Sequence, residues 1–198
     1  MLTIYGSKMS GSCAKVEWTA KLLKIPHTFK ELDTQKDLQT PEYLARNPVG
    51  KIPAIDDDGF SMFESGAIIR YLCDKNNSEY YPKDLKKRAL VDQWIDFCTH
   101  HVASGLGKIA HQKVFAPMRG SPVDQADLDR GYKEVDRFMP PVEAQLKKHK
   151  FLAGDKMTIA DVVLLGTLFY ADKSQVDLSK YPHLVNWRKV IMGMDFVK

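Results

Sequence analysis

The chain has 198 residues, enough for one large domain or two small ones with buried cores. Its hydrophobic share of 44% and charged share of 27% are those of an ordinary globular protein, and no apolar run approaches the roughly 20 residues that span a bilayer. The net charge of +4 is spread along the chain, with only short basic runs at Lys86-Lys87-Arg88 and Lys147-Lys148-His149-Lys150, so neither nucleic acid nor a membrane surface is an expected partner.

The first eighty residues alternate between strand and helix signals. Leu2 to Tyr5 reads as a strand. Ser10-Gly11-Ser12-Cys13 follows it as a small-residue turn and helix start, and Val16, Ala20 and Leu23 continue that helix at helical spacing. His27 to Leu32 alternates again as a strand. Thr40 caps a short helix over Pro41 to Arg46, with Pro at its first position. Ile52 to Ile55 and Phe60 to Phe63 read as strands joined by the turn Asp56-Asp57-Asp58-Gly59. Ser65 to Asp74 is helical, with Ile68, Ile69 and Leu72 on one side. The order β-α-β-α-β-β-α describes a small mixed sheet with helices.

Beyond Asn76 the chain turns polar and the strand signals stop. Helical patterns run over Arg88–His111, Val123–His149, Thr158–Tyr170 and Pro182–Met192. The expected division is an α/β domain at 1–76, a linker at 77–85 and an all-α domain at 86–198. Thr158 and Asp161 form a capping box, with Met157 and Val162 as a hydrophobic staple. That is a folding signal for a buried helix and carries no chemistry.

No basic-then-apolar leader pattern follows Met1. Cys13, Cys73 and Cys98 are odd in number and widely spaced, which argues against a disulfide framework and against a metal site. A reducing compartment, the cytoplasm, is the expected setting.

Four features of the first domain describe one ligand. Ser10 at a helix start can be a plain cap, and the segment alone favours that. It can also donate a hydrogen bond to a thiolate, with the helix dipole behind it. Ile52-Pro53, at a strand edge or bend, can offer the Ile52 backbone to an extended peptide if the bond is cis. Glu64 suits a ligand ammonium, and Ser65 as helix cap suits a carboxylate. Lys51, which alone reads as a solvated lysine, can be a cation for a second carboxylate. Together they fit a short peptide with an amino-acid head, a central thiol and a terminal carboxylate, the shape of glutathione.

On these residues the chain resembles a cytosolic glutathione transferase over essentially its whole length. The matching stretches are Ser10–Val16, Asn47–Ala54, Phe63–Ile68 and Leu152–Asp161. The resemblance implies a thioredoxin-like first domain followed by an all-α domain. It places Ser10 where thioredoxin-like proteins carry their first cysteine, as in serine-type transferases of the theta, delta, phi and zeta groups. Ser10 stands three residues before Cys13 and five before Lys15, which favours it over Ser7 and Ser12. Cys13 then becomes a packed bystander. Serine-type members that hold the glycine carboxylate with a His have no counterpart in Lys36–Thr40, where Gln39 or Lys36 substitutes.

The resemblance further implies glutathione as co-substrate with no separate cofactor, a homodimer, and detoxification of apolar electrophiles. Lys8 and Met9, with Gly105, Lys108 and Ile109 of the long helix, are the expected lining of the electrophile pocket. Two other functions stay open: a non-catalytic binding or assembly module, and a glutathione-dependent peroxidase or thiol–disulfide reductase using Cys13.

Overall fold

Buried Leu2, Ile4 and Gly6 alternate with half-buried Thr3 and Tyr5 in the first strand, β1 (Leu2–Gly6), of a computed structural model that describes residues 1–198. Helix α1 (Gly11–Leu22) crosses over to β2 (His27–Glu31), which pairs parallel to β1. The short helix α2 (Pro41–Leu44) precedes β3 (Ala54–Asp57) and β4 (Phe60–Phe63), and α3 (Ser65–Lys75) follows. The sheet order is β2-β1-β3-β4, with β3 antiparallel to both neighbours. Asp58 and Gly59 form the β3–β4 turn with φ of 54° and 88°, the doubly left-handed geometry that Asp-Gly supplies in two-residue hairpins. Helix α1 packs on α3, and Ile4, Val16, Ala20, Ile55, Ile68 and Leu72 are buried in this unit.

One strand and the turn after it shift from expectation. Ile52 and Pro53 lie outside β3, which runs from Ala54 to Asp57, so the turn shrinks to Asp58-Gly59. The reason is local. The Lys51 carbonyl is taken by the Tyr43 hydroxyl and the Asn47 amide, so ladder pairing begins only where Ala54 meets Tyr5 and Phe63.

The chain divides into one unit of Met1–Pro82 with Met194–Lys198, and a second of Lys83–Gly193. The last five residues thus belong with the first unit and not with the helical domain at 86–198. Their short 3-10 turn, Asp195–Val197, packs on α1 and buries Phe196.

The second unit is all helical. Asp84 caps α4 (Leu85–Phe97), which runs through a π-helical turn (Cys98–Val102) into α5 (Ala103–Ala110). A second π turn (His111–Phe115) leads to α6 (Ala116–Met118). The single pattern read over Arg88–His111 is therefore one helical run in which inserted residues re-aim the apolar stripe. Then come α7 (Gln125–Lys148), α8 (Ile159–Thr167) and α9 (Pro182–Met192), with α5 crossing α7 at Gly105 and Gly131.

The capping box of α8 is present. Asp161 accepts from the Thr158 N–H at 2.9 Å, and its other oxygen accepts from the Leu152 N–H and the Trp187 indole, both at 2.9 Å. No helix is long and apolar enough to cross a membrane.

Candidate active site

The registers bring three segments to one end of the sheet. β1 ends at Gly6, Ala54 of β3 lies opposite Tyr5, and Phe63 of β4 lies opposite Ala54. The chain therefore leaves β1 into Ser7–Ser10, enters β3 from Lys51–Pro53, and leaves β4 into Glu64–Ser65 at the same edge. Neighbouring strands are about 4.8 Å apart, so these segments share a strip only about 10 Å wide.

Ser10 caps α1: its hydroxyl oxygen accepts from the Cys13 N–H at 3.3 Å, and its own N–H donates to the Ser7 carbonyl at 3.0 Å. The Ser7 hydroxyl is turned back on the loop, accepting from the Met9 N–H at 3.3 Å. Ser12 lies inside α1 at its second position. Cys13 is fully buried beneath β1, where a Cβ on Gly6 would stand 2.4 Å from its sulfur. Burial pushes the Cys13 thiol up, and this outweighs the Ser10 hydroxyl acting in the opposite direction. A thiol held protonated in apolar surroundings is a poor nucleophile.

The Ile52-Pro53 peptide is cis. The preceding loop is pinned by its own side chains: the Lys51 carbonyl accepts from the Tyr43 hydroxyl and from Asn47 Nδ2, each at 2.6 Å, and Asn47 Oδ1 accepts from the Val49 N–H at 3.0 Å. Ile52 packs against the buried cluster of Leu32, Tyr43 and Ala54. Burial pushes the Tyr43 phenol up to about 12, so it serves as a neutral donor. Gly50 has φ of +64°, and a Cβ there would stand 2.6 Å from Gln39 Nε2. Gln39 thus lies against Gly50, the residue before Lys51, and Gln39 and Lys51 are both exposed.

Ser65 is not the cap of α3. Glu64 holds that position, with no side-chain cap bond and with φ 68°, ψ 107°, while Ser65 is the first helical residue. A non-glycine residue at positive φ costs on the order of 1–3 kcal/mol and is concentrated at functional sites. The α3 ladder begins with the Ile68 N–H donating to the Glu64 carbonyl at 2.9 Å. The N–H groups of Ser65, Gly66 and Ala67 thus have no acceptor within the helix, which suits an anion. Glu64 itself is exposed.

The expected electrophile-pocket residues fare unevenly. Met9 is 47% exposed next to Ser10. The Lys8 ammonium is already committed, to Glu17 and to the face of Phe29. In the second unit Gly105 and Ile109 are buried against α7, and the Lys108 ammonium donates to Ser104 and to both Glu134 oxygens. The hold of Tyr43 and Asn47 on the Lys51 carbonyl is a contact that the sequence does not announce. The Asn47-Pro48 pair ahead of a glycine was the available signal for a pinned loop.

The glutathione S-transferase N-terminal domain family matches residues 4–79, and the glutathione S-transferase C-terminal domain family matches residues 107–195. A probable glutathione S-transferase of Oryza sativa, GSTF2, is 31% identical over 97% of this chain and 92% of its own length. The crystal structure of glutathione transferase F7 from Populus trichocarpa superposes with a TM-score of 0.92 at 27% identity, covering 100% of this chain and 96% of that one. A glutathione S-transferase-I structure bound with lactoylglutathione gives a TM-score of 0.91 at 28% identity, covering 99% and 96%.

Proposed function

The chain belongs to the cytosolic glutathione S-transferase family, and we propose that it ionises the glutathione thiol at Ser10 and adds the sulfur to apolar electrophiles. The observation that carries this reading is the convergence of Ser10, Ile52-Pro53 and Glu64-Ser65 at one end of the sheet.

Each contact follows from the chemistry of the groups. The Ser10 oxygen is occupied as an acceptor by Cys13, which leaves the hydroxyl proton for a sulfur anion. The free N–H groups at the start of α1 add their positive end. Glu64 receives the ligand ammonium and the open N–H groups of α3 receive its α-carboxylate. The backbone of Ile52 pairs with the cysteinyl unit. Gln39 and Lys51 hold the glycine carboxylate where a histidine is missing. The thiolate then forms a carbon–sulfur bond, and the electrophile's leaving group departs with the electron pair, or in an addition the carbanion takes a proton from water. The protein contributes proximity and a stabilised anion.

The same proposal includes a homodimer, a cytoplasmic setting and a detoxifying role. Thiol–disulfide exchange draws no support from Cys13, which is buried and held protonated. Ser10→Ala is the test. It should keep glutathione on an affinity resin and lose conjugation by about tenfold to a hundredfold, the worth of a hydrogen bond to a charged group. Unchanged turnover would show that another group meets the sulfur.

A further inference from the structure

One residue, two positions before Ser10, ties its turn to the rest of the unit. The Lys8 N–H donates to both carboxylate oxygens of Glu31, at 3.1 Å each. The Lys8 ammonium pairs with Glu17 at 2.5 Å and stands 3.9 Å over the Phe29 ring. Phe29 and Glu31 lie on one face of β2 because strand side chains alternate. Lys8 therefore joins the Ser10 turn to β2 and to α1 at once.

Without it Glu17 would lose its nearer cation. Glu17 is only 13% exposed, and its other cation, Lys21, is 3.9 Å away. The ionisable groups around the first turn of α1 are Glu17, Lys15 and Lys21 on α1, Lys8 on the turn, Glu31 on β2 and the neutral Tyr43 phenol on α2. After burial and hydrogen bonding, Glu31 and Glu17 are the charges felt by the Cys13 thiol, and both push it up. A glutathione sulfur held by Ser10 would stand at the same helix start, where these carboxylates would oppose its ionisation.

We propose that Lys8 is a positioning residue for Ser10: its N–H fixes the turn on Glu31, and its ammonium offsets Glu17 beside the helix start. This rests on the assignment of Ser10 made above. It also moves Lys8 out of the electrophile pocket. Removing the ammonium leaves Glu17 less compensated, so the bound thiol ionises at higher pH.

The test is the pH dependence of kcat/KM for a chlorodinitrobenzene at saturating glutathione, which reads the ionisation of the bound thiol. Lys8→Met should move the acid limb up by about half a unit to one unit. Lys8→Arg should hold it near the parent position, and Glu17→Gln added to Lys8→Met should bring it back. Glu17→Gln alone, which leaves Lys8 in place, should move the limb down. A Lys8→Met limb that coincides with the parent, even at lower kcat, overturns the proposal, as does a limb indifferent to Glu17→Gln. Ser10→Ala in the same series separates the two assignments. Parent-like turnover there removes the Ser10 reading itself, whereas lost turnover with an unshifted Lys8→Met limb removes only the role of Lys8.

Discussion

The Cys13 N–H donates to the Ser10 hydroxyl oxygen at 3.3 Å, so a single bond both caps α1 and orients the hydroxyl. The thiol of the same residue fills the space beneath Gly6. Cys13→Ala keeps the N–H and removes only the sulfur. It should leave kcat/KM for conjugation within about twofold and cost about 1 kcal/mol of stability for the small cavity. Urea unfolding and steady-state rates check the pair. A tenfold loss of activity without unfolding would make Cys13 part of the chemistry.

Glu64 separates strain from binding. Its φ of 68° suits glycine better than glutamate. Glu64→Gly should leave unfolding free energy unchanged or raise it by up to about 1 kcal/mol, while weakening glutathione binding through loss of the carboxylate. Calorimetric titration alongside denaturant melts reads both quantities. Weaker folding together with unchanged binding would contradict this assignment.

These two sites show what was legible in the sequence. The existence of the four strands and of the β3–β4 turn followed from alternation and turn chemistry, because both are local, while β3 enters two residues later than expected and the turn tightens to Asp58-Gly59. Glu64-Ser65 was read one residue out, since a serine before an apolar helical run looks like a cap. What places Glu64 at positive φ is the exit from β4, which no neighbouring residue announces. Ser10 was legible as the cap of α1, and the family resemblance, through its spacing to Cys13 and Lys15, nominates it over Ser7 and Ser12. The partners of Lys8, at Glu17 and Glu31, and the hold of Tyr43 and Asn47 on Lys51, are tertiary contacts without a sequence pattern. The π turns were hidden because the chain stays helical on both sides of them.

The buried carboxylate of Asp161 should carry much of the second unit's stability. It accepts from the Leu152 N–H, the Thr158 N–H and the Trp187 indole. Asp161→Ala strands these donors in the core and should cost about 3–5 kcal/mol by urea unfolding. Trp187→Phe removes one donor together with its need and should cost about 1–2 kcal/mol. A loss under 1 kcal/mol for Asp161→Ala would show that the network is dispensable.

Glu143 gives a pH signature. It accepts from the His183 N–H at 3.0 Å, the Leu184 N–H at 2.9 Å and His183 Nδ1 at 2.6 Å, closing the start of α9. Burial works to raise its carboxyl, but these donors outweigh it and the net shift is downward. A carboxyl depressed in the folded state adds stability that is present above its unfolded value, about 4.3, and is lost as pH falls through the folded one. The parent should therefore lose stability more steeply than Glu143→Gln below about pH 5. Parallel acid limbs in thermal melts would contradict this.

The central claim is that Ser10 stabilises the glutathione thiolate. Its most direct test is a pH titration of enzyme-bound glutathione by thiolate ultraviolet absorbance, in the parent and in Ser10→Ala. The bound thiol of the parent should ionise well below free glutathione, and Ser10→Ala should raise that midpoint by about one unit or more. Coincident midpoints in the two proteins would contradict the account.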